Sequence, residues 1–129
     1  MQITLTLNGR RCTAEVPADM TLFTYLRQKG CYSVKCGCET SSCGLCTVHM
    51  DGKPVLSCSV LAVSAAGHTI TTIEGVQEEE LEFGKFLADE GGEQCGFCSP
   101  GVIMNVLGMG RELPNPTDEQ IKEYLAGNL

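Results

Sequence analysis

The sequence predicts an α+β protein in two parts, a region of strands and one helix over residues 1–75 and an all-helical region over residues 76–129. Three observations carry this expectation. Apolar residues alternate with polar ones at Ile3, Leu5 and Leu7 and again at Ala14 and Val16. Beyond Glu78 they recur instead at a helical spacing of roughly 3.6 residues. Between the two patterns, at Glu74-Gly75, the character of the chain changes, and the domain boundary is drawn there.

Taken in order, residues 2 to 16 read as a hairpin, because Asn8-Gly9 between alternating runs is a favoured type I′ turn. Thr21 is placed to cap a short helix with Leu22, Tyr25 and Leu26 on one face, and Gly30 to end it. A cysteine-rich loop runs from Cys31 to Cys46. Thr47 to Met50 and Val55 to Cys58 flank Asp51-Gly52 as a second hairpin, and Pro54 puts one of its strands on a sheet edge. Ile70 to Ile73 is the last strand.

The second part opens on the acidic run Glu78 to Glu80, which suits a helix N-terminus. Leu81, Phe83, Phe86 and Leu87 form the apolar face of that helix, and Gly91-Gly92 stops it. Ser99-Pro100 offers an N-cap followed by proline at the first helical position, leading into Val102, Ile103, Val106 and Leu107. Thr117-Asp118-Glu119-Gln120 is a capping box before Ile121, Tyr124 and Leu125. Three helices are therefore expected after residue 75.

At 129 residues the chain is above the size at which folding needs covalent staples, so folding alone does not explain nine cysteines. A net charge of −7 excludes nucleic acid and an anionic membrane surface as partners, since both would repel the protein. No apolar run approaches the roughly 20 residues needed to span a bilayer, and the start lacks the pattern of a signal peptide. A cytoplasmic protein is expected. In that reducing compartment clustered cysteines are metal ligands rather than disulfides.

Cys38, Cys43, Cys46 and Cys58 are spaced C-x4-C-x2-C-x11-C, and the first part matches the plant-type 2Fe-2S pattern. Three sulfurs must converge from one tight loop whose backbone N–H groups turn inward, and Gly37 and Gly44 give it the freedom to do so. A four-cysteine zinc site usually shows two C-x2-C knuckles, which the four-residue gap does not fit. Cys36 competes with Cys38 as first ligand in a C-x6-C arrangement, and Cys38 is preferred. A second pair, Cys95 and Cys98, precedes the Ser99-Pro100 helix start, where the helix dipole favours thiolates. Alone, that pair divides evenly between a cluster site and its other readings, a redox dithiol or half of a zinc site. Cys12 and Cys31 read as small packed residues, and His49 and His68 as lone histidines without ligand spacing.

Two segments, CETSSCGLCTVHMDGKPVLSC from Cys38 to Cys58 and QCGFCSPG from Gln94 to Gly101, resemble the small iron–sulfur subunit of the molybdenum hydroxylase (xanthine dehydrogenase and xanthine oxidase) family. Thr72-Ile73-Glu74-Gly75 and the ending Leu125 to Leu129 extend the likeness over nearly the whole chain. The resemblance implies an N-terminal ferredoxin-like β-grasp domain and a C-terminal helical bundle, each carrying a 2Fe-2S cluster. It assigns Cys38, Cys43, Cys46 and Cys58 to an outer cluster nearer flavin, and Cys95 and Cys98 to two ligands of an inner cluster nearer molybdenum. Gln94 falls on a residue that approaches the molybdopterin. Partners with molybdopterin and FAD are implied, with electrons passing from molybdenum to flavin.

The sequence departs from the family in two places. The family reads Cys-Gly-Glu-Gly from its first ligand, whereas Cys38 is followed by Glu39-Thr40-Ser41-Ser42, which changes the local turn and bears on the potential. The family's other two inner-cluster cysteines, a Cys-x-Cys, would come directly after Asn128-Leu129. The expectation is therefore an incomplete or split chain whose fourth helix and missing ligands lie elsewhere, with an empty inner site as the other reading. A free-standing 2Fe-2S ferredoxin is the alternative function, and a zinc-stabilised interaction module a third. No nucleophile, general base or phosphate-cradling loop is legible, so no substrate chemistry is expected on this chain.

Overall fold

A computed structural model describes residues 1–92 and 94–128, with the backbone alone at Glu80. Strands β1 (Gln2–Leu7) and β2 (Arg10–Glu15) form the first hairpin, and helix α1 (Leu22–Gln28) follows. Strands β3 (Thr47–Met50) and β4 (Lys53–Leu56) form the second hairpin, and β5 (Thr69–Thr71) completes the sheet. The helical part comprises α2 (Gln77–Asp89), α3 (Ser99–Glu112) and α4 (Asp118–Tyr124). The five strands lie in the order β2-β1-β5-β3-β4. β1 and β5 are parallel and the other neighbours antiparallel, so the sheet is mixed.

The turn chemistry accounts for the hairpins. Asn8 and Gly9 have φ of 50° and 84°, and Asp51 and Gly52 have 52° and 84°, so both connections have the paired positive dihedrals of a type I′ turn. Pro54 sits on edge strand β4, where its missing N–H costs no ladder bond. That strand ends two residues earlier than its pattern predicts. Cys58 falls in the 3-10 turn Ser57–Ser59, which redirects the chain at the last cysteine of the loop-and-hairpin unit.

Ile3, Leu5 and Leu7 of β1, Val48 of β3 and Ile70 of β5 face Leu22, Tyr25 and Leu26 of α1 to form the core. Cys31 lies in it, and half-buried Cys12 packs against it, as small apolar side chains do. A sheet carrying one helix across its face is the ferredoxin-like β-grasp arrangement. Helix α3 packs against the β3–β4 hairpin. Strand alternation accounts for this: Val48 belongs to the core under α1, while its neighbour His49 reaches α3.

Two expectations about the helical part need correction. Ser99 is the first helical residue and Cys98 the N-cap, with Pro100 in the first turn, because no side-chain oxygen caps this helix and the cysteine backbone takes the cap position. The apolar face expected on α2 is divided: Phe83 and Leu87 are half-buried, whereas Leu81 is 71% and Phe86 58% exposed. Leu81 lies roughly 160° around the helix from Phe83, too far to share its face. The capping box on α4 forms in full, with Thr117 accepting from the Gln120 N–H and Gln120 reaching back to Thr117. Leu129 and the side chain of Glu80, in the ending and the acidic run noted above, lie outside the described residues. Among the described residues no helix is long and apolar enough to cross a membrane.

Candidate iron–sulfur site

The loop between α1 and β3 is wound so that its backbone donors point at sulfur. The N–H groups of Ser42 and Cys43 lie 3.3 and 3.4 Å from Cys38 Sγ, and that of Leu45 lies 3.4 Å from Cys43 Sγ. These donors stabilise a thiolate, and they lower the Cys38 thiol to about 6. Cys43 and Cys46 are buried, while Cys38 and Cys58 are half-buried at the surface. Burial pushes the Cys46 thiol up, against the Cys58 N–H that donates to its sulfur. In a cysteine-rich loop, thiols held away from water with no disulfide partner are soft ligands that await a metal to stabilise their anionic form.

Short links tie the four cysteine positions together in two pairs. The Cys43 N–H donates to Cys38 Sγ at 3.4 Å, and the hydroxyl of Ser57, the residue before Cys58, donates to the Cys46 carbonyl at 2.7 Å. Among the described residues no three His, Cys, Asp or Glu side chains converge as a single ion would require. Two thiolates on each of two irons is the donor arrangement of a 2Fe-2S cluster, with the inward N–H groups available to its sulfides, so the donor set fits that group.

Cys36 is oriented differently. Its exposed thiol donates to the Cys38 carbonyl at 3.1 Å, and it receives none of the loop donors directed at Cys38. The second pair lies across the molecule's other elements: Cys95 is exposed, Cys98 half-buried at the N-cap of α3, and Gly96 between them has φ of 81°. Exposed Phe97 rests under the Lys35 ammonium, 4.8 Å from its ring centroid. Gln94, just before the pair, is exposed.

Glycines bring the two cysteine segments into contact. A Cβ on Gly101 would stand 2.9 Å from Leu45 Cα and strike the Gly44 carbonyl, so α3 meets the ligand loop backbone to backbone. Gly44, at φ 72°, is covered from the other side by Asn128 and Gly127. Its carbonyl accepts from the Thr47 hydroxyl at 2.7 Å and from Asn128 Nδ2 at 3.4 Å, and Asn128 Oδ1 in turn accepts from Asn105 at 2.7 Å.

Sequence reading missed the part played by His49. The side chain is fully buried, and its Nε2–H donates to the Met104 carbonyl of α3 at 2.7 Å. A carbonyl can only accept, so the tautomer is fixed, and Nδ1 is left to accept from Arg111 at 3.4 Å. Burial first, and the Arg111 charge second, push this imidazole below its ordinary value despite the opposing Met104 bond. His49 therefore joins, as a neutral ring, the strand that follows Cys46 to the helix that follows Cys98. An apolar-polar alternation with a histidine in a polar slot was the only available signal. His68 is half-buried and pairs with Asp51 at 2.6 Å.

Residues 5–88 match the 2Fe-2S iron-sulfur cluster binding domain family and residues 72–129 the 2Fe-2S binding domain family. The chain is 41% identical to a probable xanthine dehydrogenase component of Bacillus subtilis (strain 168), covering 99% of this chain and 75% of that one. It is 38% identical to the nicotinate dehydrogenase small FeS subunit of Eubacterium barkeri, covering 98% and 83% respectively. Among solved structures, quinoline 2-oxidoreductase from Pseudomonas putida 86 superposes with a TM-score of 0.90 at 35% identity, over 100% of this chain and 82% of that one. Aldehyde oxidoreductase from Desulfovibrio gigas superposes with a TM-score of 0.89 at 38% identity, over 100% of this chain and 15% of that one. The fold, the loop of inward N–H donors and these matches agree, and the chain belongs to the family of small 2Fe-2S iron–sulfur subunits of molybdenum hydroxylases, non-catalytic electron-transfer components of oxidoreductases.

Proposed function

We propose that this chain carries single electrons from a molybdenum-pterin catalytic subunit toward FAD on a further subunit or domain, and performs no chemistry on the organic substrate itself. The observation that carries the proposal is the ligand loop, with N–H groups aimed at Cys38 and Cys43 and the Cys58 turn bonded to the Cys46 carbonyl through Ser57. A bound 2Fe-2S cluster supplies one-electron redox chemistry, which is what divides the two electrons of a hydroxylation between successive acceptors.

Cys38, Cys43, Cys46 and Cys58 would hold that cluster, which would exchange one electron at a time. Half-exposed Cys38 and Cys58 bring that site to the surface, where a redox partner can approach. Residues 1–75 form the domain of this outer site, and residues 76–129 the domain of the inner one. Cys95 and Cys98 supply two of the inner ligands. Gln94 stands at the molybdopterin side by resemblance, and its exposure leaves it free to reach a partner's cofactor. The contact of Gly101, three residues past Cys98, with Gly44, next to Cys43, supports a short route between the two cysteine sets. The reduced state these thiols need supports the cytoplasm as the compartment.

A free-standing ferredoxin would use the outer site alone and has no need of α3 pressed onto the ligand loop. The separating experiment is purification through this chain followed by molybdenum, pterin and FAD analysis, then rapid-freeze EPR with purine, N-heterocycle and aldehyde substrates. Co-purifying molybdenum and FAD, with 2Fe-2S signals growing in before the flavin bleaches, is the expected result. A chain that holds iron but runs alone contradicts the subunit role, and flavin bleaching before any cluster signal contradicts the direction.

A further inference from the structure

Two hydroxyls stand over the last cysteine of the ligand loop. Ser41 Oγ lies 3.9 Å and Ser59 Oγ 3.7 Å from Cys58 Sγ, and the two oxygens are 2.6 Å apart. Ser41 comes from the stretch between the first two cysteines and Ser59 from the 3-10 turn carrying Cys58, so the pair bridges the two ends of the site. Ser41 is held at φ 57°, left-handed backbone that glycine takes freely and serine only with strain. The hydroxyl it gains thereby is the one that meets Ser59.

Proton accounting shows what the pair can do. Each hydroxyl has one hydrogen. At 2.6 Å one serine must donate to the other, which leaves a single O–H, and Cys58 Sγ is the acceptor beside both oxygens. Once Cys58 is a thiolate its sulfur can only accept, so either orientation of the pair leaves that hydrogen within reach of the same sulfur, and the donor's own oxygen is made more polar by the bond it accepts.

We propose that Ser41 and Ser59 form a tuning pair that raises the reduction potential of the outer cluster through Cys58. The proposal rests on the cluster assignment above. Reduction adds negative charge to the cluster and its ligand sulfurs, so a donor to Cys58 Sγ stabilises the reduced state more than the oxidised one. Both serines are exposed, so water competes with them and the effect is modest.

The test is an EPR-monitored redox titration of the outer cluster in the intact protein and its complex, for wild type, Ser41→Gly, Ser59→Ala and the double variant. Iron and acid-labile sulfide are measured on each. The double variant is expected to need a more negative potential, with the reduced-to-oxidised ratio at fixed poise falling about threefold, or roughly 28 mV at 59 mV per tenfold. Each single variant keeps one hydroxyl near the sulfur but loses the polarising bond, so it moves in the same direction by about 7–14 mV, a quarter to a half of that shift, and Ser59→Thr retains the wild-type midpoint. Full iron with a midpoint unmoved in the double variant overturns the tuning pair alone, as does an upward shift. If the double variant loses iron, a Ser59→Ala midpoint that matches wild type overturns it in the same way. Absence of iron from the wild type overturns the cluster assignment itself.

Discussion

Replacing His49 with leucine tests how the two cysteine segments are held together. The variant keeps an apolar body of similar size but removes the Nε2–H bond to Met104 and the acceptor facing Arg111. A net buried hydrogen bond is worth about 1 kcal/mol. Met104 lies within α3, so its carbonyl retains a helical partner, and Arg111 is exposed and can turn to water. The loss is therefore about 1–2 kcal/mol, borne by the contact between α3 and the β3–β4 hairpin. Protonation does the same reversibly. The buried imidazole is held below its ordinary 6.5, so its contribution is complete above that pH and declines as pH falls below it. The decline is bounded at about 2 kcal/mol by pH 5, the cost of charging the unfolded chain's imidazole while the native one stays neutral. Native-state hydrogen exchange of residues 99–112, corrected for intrinsic rates, reads both effects. Wild type loses α3 protection between pH 7 and pH 5, His49→Leu is less protected at pH 7 and flat with pH, and His49→Gln, which can still donate to Met104, lies between. Equal protection in wild type and His49→Leu at pH 7 refutes the reasoning.

Three further outcomes follow from the same geometry. Gly101→Ala drives a methyl into Leu45 Cα and the Gly44 carbonyl, and the overpacking is expected to cost about 1–3 kcal/mol, read as a lower thermal midpoint and faster iron loss. Glu74 accepts from the Ser33 hydroxyl, from the Thr72 hydroxyl at 2.8 Å and from the Ser33 N–H at 3.1 Å. Burial opposes its charge, but those bonds outweigh it and hold the carboxyl below its ordinary 4.5, so its stabilisation is present above that pH and lost as pH falls through the lowered value. Glu74→Gln is expected to cost about 1–2 kcal/mol at pH 7 in urea titration, and the gap to wild type narrows below pH 4. Cys36→Ser leaves iron content unchanged because that thiol serves only the Cys38 carbonyl, whereas Cys38→Ser loses most of it, as metal analysis of the two variants side by side will show.

Local chemistry made much of the fold legible. Asn8-Gly9 and Asp51-Gly52 announce their turns because few residues accept paired positive φ, and the caps at Thr21 and Thr117 form because their oxygens have N–H groups to accept from. The cysteine spacing is visible because ligand loops constrain position more than packing does. What sequence could not give depends on partners distant along the chain. Periodicity placed Leu81 and Phe86 on a buried face, but which face of α2 is covered depends on where α3 lies. Ser99 looked like a cap, and the cysteine before it takes that place. The buried role of His49 requires Met104, 55 residues away, to be opposite it. The departure at Glu39 to Ser42 was plain, but the meeting of Ser41 with Ser59 depends on the turn at Cys58.

The most direct measurement is iron and acid-labile sulfide per chain on the protein as isolated, with low-temperature EPR after reduction. A 2Fe-2S cluster on Cys38, Cys43, Cys46 and Cys58 requires about two irons and two sulfides per chain and one signal, rising to about four irons and two distinct signals when the Cys95 and Cys98 site also holds a cluster. Zinc in place of iron, with no labile sulfide and no signal, contradicts the account at its centre.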